Sequence, residues 1–132
     1  MFDTFKKIFF LSQKRIEDLE NDDKGWYNGY ETFLKGMREE IGEMEQELKE
    51  NNSVHLEDEL GDILWDYLSF INVLEKRNYI SSAEKVFERI HKKYGERLKA
   101  VYGQNTENAW YEIKKKQKEE LQQEHQEKHG EK

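Results

Sequence analysis

Residues 39–66 read EEIGEMEQELKENNSVHLEDELGDILWD, and the reading of this stretch decides the fold. Phe33, Leu34, Met37, Ile41, Met44 and Leu48 recur at three- and four-residue steps before the polar break Asn51-Asn52-Ser53. Leu60, Ile63, Leu64, Tyr67, Ile71 and Leu74 do the same after it. Such spacing predicts two amphipathic helices, from about Gly29 to Glu50 and from about Val54 to Arg77, with the break ending the first and capping the second. The helices carry two short acidic clusters, Glu39-Glu40-x-x-Glu43 and Glu59-x-x-Asp62. Carboxylates three residues apart are neighbours on one helical face. At about 100° per residue, Glu40, Glu43 and Glu47 fall within roughly 60° of one another, and Glu59, Asp62 and Asp66 repeat the layout. Both acidic stripes border the apolar face, so antiparallel packing through the short connection would bring them together.

The rest of the chain extends this helical reading. Phe2, Phe5, Ile8, Phe9, Ile16 and Leu19 predict a first helix over residues 2–20. Asn21-Asp22-Asp23-Lys24-Gly25 is a polar breaker, followed by the aromatic cluster Trp26, Tyr27 and Tyr30. Ser81-x-x-Glu84 is a capping box for a fourth helix over about 82–99. Tyr102-Gly103-Gln104-Asn105 reads as a loop, and a fifth helix begins near Glu107 with Ala109, Trp110 and Ile113. The expectation is an all-α bundle of four to five helices over residues 1–113. Residues 114–132 are rich in charge and carry a single aliphatic side chain, Leu121, so they read as a solvated helix end or disorder.

Composition narrows the function classes. The 132 residues are 35% hydrophobic and 39% charged, lean for a compact monomer and suited to helices that share a core between subunits, so self-association is expected. The absence of cysteine excludes disulfides and thiolate metal sites and fits a cytoplasmic setting. The apolar run Ile8 to Leu11 is too short for a secretory signal or a membrane span and reads as the buried face of the first helix. A net charge of −7 repels nucleic-acid phosphates, whereas local acidic clusters attract divalent cations.

Crowded carboxylates raise one another's pKa unless a cation intervenes, and an all-oxygen donor set suits magnesium or manganese rather than zinc or copper. A single acidic pair at this spacing is most often a wet surface. Two matched pairs on consecutive helices, both bordering an apolar face, point to a metal site, though not yet to a reaction.

The two clusters, with Glu59-Leu60-Gly61-Asp62 followed by the apolar Ile63-Leu64, resemble the MazG-type all-α nucleoside triphosphate pyrophosphohydrolases, whose signature is EExxE, a spacer, then ExxD, often as ELGD. The likeness extends over about residues 15–120, with Trp26 upstream and Trp110-Tyr111-Glu112-Ile113-Lys114 resembling a W-E-x-I-K stretch. The chain departs from the family at the basic K-x-x-R-R-H-P-H-V-F segment. Between Arg89 and Tyr102 there is no proline, and two registers compete: Arg89 with Lys92 and Lys93, or Lys93 with Arg97 and Val101-Tyr102.

The resemblance implies hydrolysis of a (deoxy)nucleoside triphosphate to the monophosphate and pyrophosphate, in nucleotide-pool house-cleaning or dNTP control. It implies magnesium, with manganese as a substitute, on Glu40, Glu43, Glu59 and Asp62. Glu43 matches the position nearest the base, and Glu39 would orient the water or bind a further metal. Glu47 and Asp66, one turn beyond, are further or outer ligands. Arg89, Lys93 and Arg97 would grip the phosphates. Trp26, Tyr27 or Tyr30 would stack on the base, with Trp26 alternatively an anchor of a core or interface. Two other classes remain: a di-iron helical bundle, for which Glu88-x-x-His91 supplies only half the ligand motif, and a non-catalytic helical interaction module.

Overall fold

The computed structural model describes residues 1–22, 24–104 and 107–130. Asp23 of the breaker, Asn105 of the expected loop and the last two residues of the tail lie outside them. Five helices account for the architecture: α1 Phe2–Asn21, α2 Tyr30–Gln46, α3 Ser53–Lys76, α4 Ala83–Gln104 and α5 Glu107–His129. No strand occurs among the described residues, and the fold is all-α. Among the described residues no helix is long and apolar enough to cross a membrane. The chain divides into two compact units, Met1–Ala83 and Glu84–Lys132.

In the first unit α3 packs against both α1 and α2. Ile16 and Leu19 of α1, Phe33 of α2 and Val73 of α3 form the core, with Tyr27, Tyr30 and Phe70 packed around it. Each such aliphatic or aromatic side chain contributes about 1.5–3 kcal/mol by leaving water. The α1–α3 contact also holds a buried polar trio. The Ser12 and Ser69 hydroxyls lie 2.9 Å apart, and the Asn72 amide donates to Ser12 Oγ at 3.1 Å. Buried hydroxyls and amides are costly unless paired, so the trio ties the two helices to one register.

The ends of α2 are set by contacts that periodicity does not show. Gly29 precedes the helix with φ +63°, and a Cβ there would collide with the Arg77 guanidinium, so both the backbone angle and the space call for glycine. At the other end α2 stops at Gln46, earlier than the apolar spacing suggests. Asn51 adopts φ +56°, and the Asn52 amide donates both to the Glu47 carbonyl oxygen, at 2.9 Å, and to its carboxylate, at 2.6 Å. Asparagine tolerates the left-handed region, which lets the chain reverse within a few residues.

One expectation about burial is corrected. The run Ile8 to Leu11 is not a buried face: Phe10 and Leu11 are 56% and 63% exposed, and only Ile8 and Phe9 are half-buried. The buried positions of α1 lie further on, at Ser12, which meets Ser69 and Asn72 of α3, and at Ile16 and Leu19, which join the core with Val73.

The second unit pairs α4 with α5. Arg97 is buried at 6% exposure; its Nε donates to Gln117 Oε1 at 2.9 Å, and its guanidinium lies 5.3 Å from the ring centroids of both Tyr94 and Trp110. Gln117 Nε2 in turn donates to the Lys93 carbonyl oxygen and to Glu96. The charged stretch after Lys114 continues as helix to His129, where Glu124 takes a two-pronged contact from Arg89 at 2.9 and 2.8 Å and Glu120 lies 3.5 Å from Lys92.

Candidate metal centre

The antiparallel course of α2 and α3 brings the two acidic motifs side by side. Carboxylate oxygens of Glu40, Glu43 and Glu59 lie within 4.8 Å of one another, and so do those of Asp58, Glu59 and Asp62. Glu59 belongs to both groups, so it joins the α2 acids to the α3 acids. Glu40 and Glu59 are half-buried, whereas Glu43, Asp58 and Asp62 are exposed. No basic side chain forms an ion pair with any of these five among the described residues.

The electrostatics follow from that lack of a counter-charge. Burial, the adjacent carboxyls of Glu43 and Glu59, and the charges of Glu43 and Asp62 push Glu40 up to about 7. Burial first, and then the charges of Glu43, Asp62 and Asp58, raise Glu59. One oxygen of each, Glu40 Oε2 and Glu59 Oε2, is shut off from solvent without a hydrogen-bond donor. Buried carboxylate oxygens are ordinarily paired, so two such oxygens at the meeting point of the motifs suit either a shared proton or a cation. The donor set is oxygen throughout, as magnesium or manganese requires, and the residues fit such an ion. Among the described residues the groups of three or more side chains able to hold a metal contain no histidine, so His91, exposed on α4, joins neither acidic triad.

The remaining candidates are placed differently. Glu39 is exposed and lies 3.8 Å from Lys35, one turn back on the same helix. Glu47 is held by Asn52 at the end of α2. Asp66 sits one turn beyond Asp62, half-buried, and burial together with the charges of Asp62 and Glu39 raises its pKa. Trp26 is 56% exposed, with the Arg15 guanidinium 5.6 Å from its ring centroid, so it is no core anchor within the chain. In the second unit Arg89 is occupied by Glu124 and Arg97 by Gln117 and two aromatic rings, while Lys93 is half-buried with no ion-pair partner among the described residues.

Two participants escape the motif reading. Asp58 completes a second triad, and its position four residues before Asp62 was the available signal. Gly36 is the other: a Cβ there would lie 2.6 Å from Asp66 Oδ2, so the glycine makes room for that carboxylate against α2. A glycine inside a helix is the kind of signal that marks close packing.

The apolar face beside the centre is also more open than the spacing suggests. Ile41, Leu48, Leu60 and Tyr67 are all exposed, and burial concentrates at the opposite end of the α2–α3 pair, around Phe33, Leu68, Ile71 and Val73. The acidic stripes therefore border a face that this chain leaves uncovered.

Comparison with known proteins agrees with the motifs. No curated protein and no solved structure shows a significant match to the chain. The family model of the MazG nucleotide pyrophosphohydrolase domain matches residues 28–102, more than half of the chain, and spans both acidic motifs. The match is narrower than the stretch of about 15–120 suggested by the motifs and leaves out both Trp26 and Trp110. With its all-α fold and with both acidic motifs inside the matched span, the chain belongs to the MazG nucleotide pyrophosphohydrolase domain family.

Proposed function

We propose that this protein hydrolyses (deoxy)nucleoside triphosphates between the α- and β-phosphates, yielding the nucleoside monophosphate and pyrophosphate, in a magnesium-dependent reaction that clears unwanted nucleotides. The observation that carries the reading is the pair of donorless oxygens, Glu40 Oε2 and Glu59 Oε2, where the two motifs meet. Glu40, Glu43, Glu59 and Asp62 would hold magnesium, or manganese in its place, with Asp58 as an added ligand on the α3 side. When bound, the ion supplies positive charge to the phosphate oxygens and to the departing pyrophosphate.

The chain's own groups would do the rest. Glu43, exposed at the rim of the cluster, accepts the proton of the attacking water as its oxygen bonds to the α-phosphorus and the bridging oxygen leaves with pyrophosphate. Glu39 orients that water, and Asp66, seated over Gly36, stiffens the cluster from one turn away. Glu47 serves the end of α2 through Asn52. Among the bases of the second unit, Lys93 is the first choice for a phosphate contact, since Arg89 would have to release Glu124 and Arg97 would have to leave its stack. Trp26 offers an exposed aromatic face for a nucleobase. The uncovered apolar positions Ile41, Leu60 and Tyr67 support a homodimer or homotetramer.

The test is a panel of standard and modified nucleoside triphosphates with magnesium or manganese, followed for pyrophosphate and monophosphate. Pyrophosphate from at least one substrate is expected. Silence across the whole panel, or release of orthophosphate with a diphosphate, would defeat the proposal.

A further inference from the structure

The last turns of α5 carry a feature that the acidic centre does not use. His125-Gln126-Glu127-Lys128-His129 places two imidazoles four residues apart, on one helical face, the spacing at which a helix offers two nitrogens to a single ion. Their ring centroids are 5.0 Å apart and their planes are inclined by 47°. An ion held at about 2.1 Å by one nitrogen of each ring, at an angle of roughly 90–110°, requires centroids about 4.5–5.3 Å apart. The observed separation falls inside that interval, so chelation asks for side-chain rotation and no change of backbone. Both rings are exposed, as is every described residue from Lys118 onward, so core packing does not account for the pair.

The donor chemistry is the opposite of that on α2 and α3. Neutral imidazole nitrogens suit copper, nickel and zinc, while magnesium prefers oxygen. We propose that His125 and His129 form a second metal site, one that takes a copper, nickel or zinc dication and leaves its remaining coordination positions open. The site lies within one helix and stands independently of the nucleotide reading. A bound ion would link successive turns and hold the end of α5 helical, in a stretch where no aliphatic residue follows Leu121.

The experiment uses the full chain with magnesium in excess, so that the acidic centre is occupied, and titrates zinc while following the imidazole resonances of all four histidines. The expected result is that His125 and His129 shift together in one saturable step while His55 and His91 stay still, with copper displacing zinc as the Irving–Williams order requires. His129→Gln should abolish the shift at His125, and His125→Gln the shift at His129. Both variants lie on an exposed helical face, so retained far-ultraviolet circular dichroism would show that the fold is intact. The proposal is overturned if all four histidines move alike, or if either single variant leaves its partner's response unchanged.

Discussion

Glu20 and Glu40 are the same residue type on neighbouring helices of one unit, and their surroundings treat them in opposite ways. Glu20 receives two bonds from the Arg77 guanidinium, both at 2.8 Å, and a third from the Tyr27 hydroxyl, also at 2.8 Å. Its carboxyl is accordingly held below the usual range, chiefly by Arg77. Glu40 meets only other acids and is pushed up to about 7. The α1–α3 contact is therefore matched in charge, whereas the α2–α3 contact leaves its acids facing one another. That difference separates a structural joint from the candidate site.

The largest effect should come from neutralising the acidic side of the comparison. Glu40→Gln and Asp62→Asn should each lower turnover by on the order of 10³-fold or more, because ions that screen phosphate charge would lose a ligand. The same Glu40→Gln change should raise the melting temperature of the metal-free protein, since it removes a charge held among like charges. Calorimetry in chelator, set beside the activity assay, reads both. A lower melting temperature would mean that Glu40 has a cationic partner after all.

Breaking the completed joint should do the reverse. Arg77→Ala removes both guanidinium bonds to Glu20, leaving it only the Tyr27 hydroxyl, and should cost about 1.5–3 kcal/mol of stability, the scale of hydrogen bonds to charged groups. Denaturant unfolding would measure it. Turnover at saturating metal and substrate should change little by comparison, provided the variant is assayed well below its melting temperature.

The two carboxylates should also give opposite pH slopes. Glu40 has a folded pKa above the ordinary 4.5, so the folded state binds the extra proton between about 4.5 and 7, and the stability of the metal-free protein should fall as pH rises through that window. Saturating magnesium should flatten this slope. Glu20 has a folded pKa below 4.5, so its contribution is present above that value and is lost as pH falls through the lowered one. Arg77→Ala should remove the acid-side loss and leave the neutral-side slope unchanged. Unfolding curves across pH, with and without magnesium, separate the two.

The smallest effect concerns two glycines of α2. A Cβ at Gly42 would meet nothing within 4 Å, so Gly42→Ala should gain about 0.5–1 kcal/mol from helix propensity alone. Gly36→Ala must displace the Asp66 carboxylate and should gain less or lose. Equal gains at both positions would mean that Asp66 is not held against α2.

Much of this was legible in the residues and some was not. The Ser81-x-x-Glu84 capping box pointed to the fourth helix, and three- and four-residue apolar steps predicted the first three, because burial of one helical face imposes that period. The pairs Glu40/Glu43 and Glu59/Asp62 were readable for the same local reason. The end of α2 was misplaced because Asn52 closes on Glu47 across a turn, and Phe10 and Leu11 were misjudged because periodicity shows which face is apolar without showing whether a neighbour covers it. The chemical eligibility of Arg89 and Arg97 was visible in the sequence, but that α5 supplies Glu124 and Gln117 to them was not.

By itself, then, the sequence determined the helices, their apolar faces and the spacing of the acids, all of which depend on residues within one or two turns of each other. Only the tertiary structure decided that Glu59 joins two triads, that Gly36 seats Asp66, and that one glutamate is matched by an arginine while another faces only acids. Those outcomes depend on the register of one helix against another, and register arises from the packing of whole faces rather than from any local run of residues.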